Sequence, residues 1–196
     1  QHQIPMEPLM VGTDAVKPSR SVRDLGIYID ANVSSMRTHV SRTVSSCFAA
    51  LRQLRSIRRS VTRSVREPLV VSLVLSRLDY GNATLAGLPD NLLGRLQSVL
   101  NAAARLINSA RKFDHVTPLL RDLHWLPVRE RITFRLAVLA YRCQHNLAPP
   151  YLASSLHRVA DIDSRRRLRS GSTAQLNVPL ATRSTIGDRA FPVAAA

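Results

Sequence analysis

The feature of this sequence that most constrains its fold is an apolar stripe between residues 92 and 107 that repeats at helical spacing. Successive members of the stripe are mostly three or four residues apart, so they fall on one side of an α-helix with 3.6 residues per turn. The stripe therefore predicts an amphipathic helix that buries one face against the rest of the chain. Its members are Leu92, Leu93, Leu96, Val99, Leu100, Ala103, Leu106 and Ile107.

Two further segments show the same spacing, which makes packing of helix on helix the expected architecture. The first lies within residues 39–58, and the second is opened by Pro127, a residue that suits a helix start. A short helix is expected before it, with Thr117 as N-cap and Pro118 at the first helical position. The two stripes are Val40, Val44, Cys47, Phe48, Leu51 and Leu54, and Ile132, Leu136, Leu139 and Cys143.

The segment at residues 68–78, PLVVSLVLSRL, is almost wholly apolar. Periodicity does not distinguish a buried helix from a buried strand in such a run, so both alternatives stay open. Ser64 and Glu67 stand at the spacing of a capping box, which predicts a helix start there. Residues 79–90 carry Gly, Asn and Pro and predict a loop.

A short β element is expected ahead of the helices. Residues 22–29 alternate loosely and include β-branched side chains, which favours a strand. Asp24 and Asp30 end the stretch DLGIYID, and on one extended strand they would lie about 20 Å apart at ~3.3 Å per residue. Two catalytic metal ions lie only ~3.5–4 Å apart and need converging carboxylates. We therefore interpret these two side chains as structural.

The expected fold class is mainly α, with four parts along the chain. Residues 1–20 predict a linker or the end of a preceding element, and residues 21–38 hold the β element. Residues 39–156 form the helical bundle. Residues 157–196 comprise a basic arm, DSRRRLRSGS, and short, poorly ordered strands.

The charge of the chain points to a polyanionic partner. Its formal net charge is +15, and of 28 basic residues only Lys17 and Lys112 are Lys, which leaves 26 Arg. Arg presents a planar fork of donors that matches phosphate and also stacks on bases. Nucleic acid is therefore the favoured partner class, ahead of an anionic membrane surface. The Arg side chains that cluster on predicted helix faces and turns are Arg52, Arg55, Arg59, Arg63, Arg131 and Arg135.

The sequence offers no catalytic or metal site of its own. It lacks the glycine-rich phosphate loops, the GxSxG elbow and the HExxH zinc motif. Cys47 and Cys143 are too few for a disulfide framework or a cysteine zinc site. No run approaches the ~20 apolar residues of a membrane span, and the first ten residues do not resemble a signal peptide. We therefore expect no catalytic residue, no metal ligand and no cofactor in this chain, no membrane association and no small-molecule substrate.

The order of motifs resembles one family, the reverse transcriptases of non-LTR retrotransposons of the Jockey-like and chicken-repeat-like kind. The similarity covers residues 16–196, and the motifs that carry it are VRDLGIYID, SRLDYGNATLAGLP, LQSVLNAAARLI, DHVTPLLRDLHWLPVRERITFRLAVLAYRC, LAPPYL and GDRAFPVAAA. Two positions depart from the pattern: Gly81 stands where relatives commonly have Cys, and the chain stops at Ala196.

The resemblance implies roles for particular residues. It implies that Leu25, Gly26 and Ile27 belong to a primer grip and that residues 39–156 are like the helical thumb. Because the Arg side chains cluster, we expect phosphates of an RNA template and a DNA primer to be contacted first by Arg52, Arg55, Arg59 and Arg63, and second by Arg131 and Arg135. The sequence contains no adjacent Asp–Asp pair. The catalytic carboxylates, and the Mg²⁺ expected for the full-length polymerase, would therefore belong to an upstream palm domain of the same polyprotein.

The expected function is therefore that of a reverse transcriptase fragment that positions a template–primer duplex but does not polymerise unaided. Two alternatives stay open: a domesticated or decayed element that serves as a helical protein-interaction module, and a pseudogene product without a selected activity. The family resemblance also implies an intracellular, nuclear location with a cytoplasmic ribonucleoprotein stage.

Overall fold

The structure is a computed structural model that describes residues 7–32, 35–162, 175–181 and 187–195. It is mainly helical, with two small antiparallel sheets before the first helix. The predicted fold class is thus confirmed. The whole of the predicted basic arm, residues 163–172, lies outside the described residues.

Both small sheets are β-hairpins. Strands β1 (Leu9–Val11) and β2 (Asp14–Val16) form an exposed hairpin inside the region predicted as a linker. Strands β3 (Ser21–Asp24) and β4 (Ile27–Asp30) form the second, in which Ser21 pairs with Asp30. The prediction of one strand over residues 22–29 was therefore wrong, because the chain reverses at Leu25 and Gly26, which have φ of +45° and +86°. Glycine tolerates such backbone angles without a steric penalty.

The second hairpin leads into helix α1 (Arg37–Ser56), and Asp30 joins the two elements. Its Oδ2 accepts hydrogen bonds from Ser35 Oγ at 2.6 Å and from the backbone N–H of Thr38 at 3.2 Å. Thr38 N–H is one of the donors at a helix start that have no partner within the helix. Partial burial alone would raise the pKa of Asp30, but these hydrogen bonds hold it below its ordinary value. The interpretation of Asp30 as structural is consistent with this geometry.

The apolar segment at residues 68–78 is helical. Helix α2 (Arg63–Val70) continues through a π-helical turn at Val71–Leu75 into α3 (Ser76–Asp79), so the helix alternative is correct. The predicted capping box does not form, because Thr62 occupies the N-cap position and no side chain caps that end. A short 3₁₀ turn at Asn82–Leu85 follows within the predicted loop.

Helix α4 (Asp90–Ile107) is the centre of the bundle and contacts α1, α2, α5 (Val116–Asp122) and α6 (Val128–Gln144). Helix α5 begins at Val116, so Thr117 lies inside it rather than at the cap. Every member of the predicted α4 stripe is buried. Val99, Leu100, Ala103 and Ile107 have no exposed surface. Truncating a fully buried side chain such as Leu100 to Ala would cost about 2–5 kcal/mol.

The described part of the C-terminal region folds back onto this bundle. After α7 (Pro150–Ala153) and a 3₁₀ turn at Val159–Asp161, the chain returns as α8 (Phe191–Ala194), where a short strand had been expected. The Arg189 guanidinium donates to the carbonyls of Ala86 and Thr84 at 2.8 and 2.7 Å. Phe191 packs against the core. One isolated β-bridge joins Arg158 and Leu176.

Candidate nucleic-acid interface

A cleft of about 760 Å³ opens between the second hairpin, the first half of α1 and the end of α3. We call it the hairpin cleft. It collects basic, aromatic and hydroxyl side chains from segments far apart in the sequence, and no acidic residue is among the described residues that line it. Its lining residues are Arg23, Leu25, Gly26, Tyr28, His39, Ser41, Arg42, Thr43, Ser45, Ser46, Arg77 and Tyr80.

The basic side chains of the hairpin cleft surround Tyr28. The Arg42 guanidinium carbon lies 4.5 Å from the centre of the Tyr28 ring, and that of Arg23 lies 5.8 Å from it. Both distances are within the range of cation–π attraction. The Tyr28 ring therefore attracts both guanidinium groups, and each of them keeps its positive charge.

Two hydroxyl groups of the cleft are oriented by Arg side chains. Arg77 Nη1 donates to Ser46 Oγ at 2.8 Å, and Arg95 Nη1 donates to Ser41 Oγ at 3.0 Å. A serine hydroxyl that accepts such a bond keeps its own proton to donate. Each pair can therefore offer an anion both a cation and a neutral donor.

The three predicted primer-grip residues form the tip of the hairpin, and two of them line the cleft. Leu25 is 84% exposed, and its carbonyl accepts a hydrogen bond from the Tyr80 hydroxyl at 2.5 Å. A Cβ added at Gly26 would lie 2.9 Å from Tyr80 Cε1, closer than carbon atoms normally approach. Ile27 points the other way and packs against the core. The turn is thus fastened to the end of α3 on one side and to the bundle on the other.

His39 fixes the hairpin to α1. Its Nδ1 accepts the Tyr28 backbone N–H at 3.4 Å, which requires that nitrogen to be unprotonated. Burial lowers the pKa of His39, and the nearby Asp30 carboxylate opposes this shift only in part. The neutral imidazole therefore belongs to the folded arrangement of the cleft.

A second basic depression, of about 520 Å³, lies on α1 and α4. We call it the basic groove, and it contains two of the predicted Arg residues, Arg52 and Arg55. The structure adds Arg58, Arg105 and Lys112, which sequence spacing did not connect with them. Phe48, Leu51, Ala102 and Leu106 supply its apolar surface.

The other predicted Arg side chains lie outside both depressions. Arg59 is exposed in the turn after α1, and Arg63 pairs with Asp122 at 2.5 Å on the surface. The Arg131 side chain is only 19% exposed and donates two hydrogen bonds to the Asp79 carboxylate, one from Nε to Oδ1 at 2.8 Å and one from Nη2 to Oδ2. Arg135 is exposed on α6. The predicted set thus divides into Arg52 and Arg55, which are brought together, and four that are dispersed or paired.

The sequence signals for the residues we missed were weak. Arg23 and Tyr28 flank the DLGI stretch, but the reversal at Gly26 was needed to bring them onto one surface with Arg42. Arg77 precedes the YGN loop, and its proximity to Ser46 of α1 is a tertiary contact. Such contacts leave no periodic trace in the sequence.

Within the described ranges, no three His, Cys, Asp or Glu residues gather closely enough to hold a metal ion. No described helix combines the length and the hydropathy needed to cross a membrane. Comparisons with models of protein families, with curated proteins and with solved structures found no match to this chain. A function for the chain therefore has to be inferred from the hairpin cleft and the basic groove.

Proposed function

We propose that this chain binds nucleic acid as the primer-grip and thumb region of a non-LTR retrotransposon reverse transcriptase. In this role it holds a template–primer duplex in position for catalytic groups located outside the chain. The observation that carries the proposal is the hairpin cleft, where Arg23, Arg42 and Arg77 meet Tyr28 and Tyr80 with no described acidic neighbour in the lining.

The chemistry of the cleft suits a phosphate backbone. Guanidinium forks bind phosphate oxygens with two parallel donors, and hydroxyl groups add neutral donors beside them. Because Ser41 and Ser46 already accept bonds from Arg side chains, their protons remain available for an anion. Contacts of this kind position a duplex without reading its sequence, as a polymerase requires.

The hairpin tip supplies the positioning element of the proposal. Gly26 presents backbone without a side chain, which allows a nucleotide to approach closely. The Tyr80 hydroxyl holds the Leu25 carbonyl, and this bond restrains the turn relative to α3. Phosphoryl transfer is sensitive to small displacements of the reacting groups. A hairpin tip that is held in place would therefore position the primer end better than a mobile one.

Catalysis in this proposal depends on a partner domain. The sequence has no adjacent Asp–Asp pair, so we assign the catalytic carboxylates to a preceding palm domain. Mg²⁺ bound by that domain would neutralise the developing phosphoryl charge. The residues of this chain would bind and orient the duplex only.

The proposal is tested by binding of a labelled RNA–DNA hybrid, measured by fluorescence anisotropy over a salt series. Each phosphate contact contributes about 0.9 to the slope of log K against log salt. Arg23→Ala with Arg42→Ala should therefore lower the slope by about 1.8. Arg42→Lys keeps the charge and should leave the slope close to that of the unchanged chain. Arg142→Ala, which removes an exposed charge on α6, is the matched control.

The result separates this function from its alternative. A chain that ignores the hybrid at low salt but binds a protein partner tightly would favour the helical interaction module instead. A chain that extends a primer on an RNA template by itself would contradict the assignment of catalysis to another domain.

A further inference from the structure

The basic groove is a second cationic surface, separate from the hairpin cleft. Arg42 of the cleft and Arg55 of the groove are 13 positions apart on α1. At 3.6 residues per turn they project about 140° apart around the helix axis, with about 20 Å between them along it. The two linings share no residue, but Ser45 of the cleft and Arg52 of the groove are seven positions apart and fall on nearly the same side of α1. A strand that leaves the cleft can therefore continue along the helix into the groove.

Four segments of the chain bring positive charge to the groove. Arg52 and Arg55 come from the last turns of α1, and Arg58 from the turn after it. Arg105 comes from α4, and Lys112 from the loop between α4 and α5. Five cations converge on one depression, which raises a potential that an anionic ligand would neutralise.

The described residues that line the groove include no carboxylate to balance this charge. The nearest acid in sequence, Asp114, accepts the Arg111 backbone N–H at 2.6 Å. The Asp114 carbonyl also accepts a bond from Arg105 Nη2 at 3.2 Å, which holds the guanidinium in place at the groove wall. Asp122, the next acid along the chain, is paired with Arg63.

The apolar part of the lining narrows the class of ligand. Phe48, Leu51, Ala102 and Leu106 contribute carbon surface between the cations, so a complementary ligand needs anionic and flat apolar groups side by side. A duplex presents phosphates outside and keeps its bases stacked inside. Unpaired nucleotides present both groups at once, and proteins bind them with a cationic groove and an apolar platform.

We propose that the basic groove binds an unpaired stretch of nucleic acid, with phosphates on the five cations and bases over the surface formed by Phe48 and Ala102. The inference rests on the proposed function and extends it, because it assigns the duplex to the hairpin cleft and a single strand to the groove. Arg42 and Arg55 are about 20 Å apart along α1, which equals the rise of about six stacked nucleotides at 3.4 Å each.

The experiment uses the full chain with two probes, a fluorescein-labelled oligo(dT) 12-mer and a blunt RNA–DNA hybrid. Arg55→Ala with Lys112→Ala removes two exposed groove cations. Ala102→Leu instead fills the groove without changing its charge. Arg142→Ala is the control for the loss of a charge elsewhere, and unchanged circular dichroism and melting temperature verify that each variant folds.

Both groove variants should weaken oligo(dT) binding about tenfold and change hybrid binding less than threefold. Arg23→Ala with Arg42→Ala should give the opposite pattern. Equal losses on both probes for the charge variant, or no loss for Ala102→Leu, would overturn the single-strand assignment. So would an acidic peptide that binds the groove more tightly than oligo(dT) does.

The two proposals fail in different ways. If the chain binds the hybrid but not oligo(dT) at low salt, the groove assignment is wrong and the proposed function stands. If the chain binds neither probe, the proposed function is wrong, and the groove assignment falls with it.

Discussion

The pair between Arg131 and Asp79 gives the sharpest prediction, because it decides whether a basic residue on α6 serves the fold or the ligand. Arg131 donates from Nε to Asp79 Oδ1 at 2.8 Å and from Nη2 to Oδ2. Each side chain is only 19% exposed, so both charges are largely removed from water. The pair joins α6 to the end of α3, next to the hairpin cleft.

Removing one partner should be costly. Breaking a buried ion pair costs about 3–5 kcal/mol, since the remaining charge is left without a partner. The remaining exposure of this pair lets water reach it, so we expect Asp79→Ala to lower the free energy of unfolding by about 2–3 kcal/mol. Replacing both residues with apolar ones, Asp79→Leu with Arg131→Met, should recover most of the loss, because neither charge then remains to be solvated.

Urea unfolding followed by circular dichroism measures these differences through the transition midpoint at constant slope. The coupling energy comes from the double-mutant cycle formed by Asp79→Leu, Arg131→Met and the variant that carries both. Hybrid binding of the double variant should keep the salt slope of the unchanged chain, because Arg131 is occupied by Asp79 rather than by phosphate. A coupling energy near zero would refute the structural role. A salt slope lowered by about 0.9 would restore Arg131 as a phosphate contact.

Three further outcomes are expected. Gly26→Ala should cost about 1–2 kcal/mol of stability and weaken hybrid binding, because φ of +86° and a 2.9 Å approach to Tyr80 exclude a Cβ. Stability should fall as pH drops below about 6.5, because unfolded chains then protonate His39 while the folded bond from Tyr28 N–H resists it. Cys47, whose pKa burial raises to about 11, should react with thiol reagents only on unfolding.

Matched variants check each outcome. Gly94→Ala, on an open face of α4, should stabilise the chain by roughly 0.5–1 kcal/mol in the same urea assay. His39→Gln should flatten the stability profile between pH 5 and 7, and an unchanged profile would contradict the role given to His39. Labelling is followed in a Cys143→Ala background, and rapid reaction of the folded chain would show that Cys47 is accessible.

The helical part of the fold was predictable because each long helix leaves a periodic record. The members of the stripes around Leu51, Leu100 and Leu136 are buried, except for Phe48 and Leu139, which are half-buried. Segments without a periodic pattern did not reveal their secondary structure. The apolar run at residues 68–78 fitted helix or strand equally, and the choice was made by packing of α2 and α3 against α1 and α4.

The errors have local physical reasons. The prediction of one strand at residues 22–29 missed the turn at Leu25 and Gly26. The alternation of side chains runs on across that turn, so the sequence pattern does not mark it. The hairpin at β1 and β2 was missed because its strands have only three residues each, LMV and DAV, which is too short to show an alternation of apolar and polar side chains. At the C-terminal end, Pro192 sits at the start of a helical turn, where its missing N–H costs nothing.

The sequence alone determined the helical class, the excess of Arg and the identity of Arg52 and Arg55 as neighbours on one helix, because these depend on composition and on spacing within one element. The tertiary structure decided which cations share a surface and which form ion pairs with Asp79 or Asp122. The physical reason is that electrostatic interactions depend on distance in space. Arg105 and Lys112 reach the end of α1 only once the helices have packed.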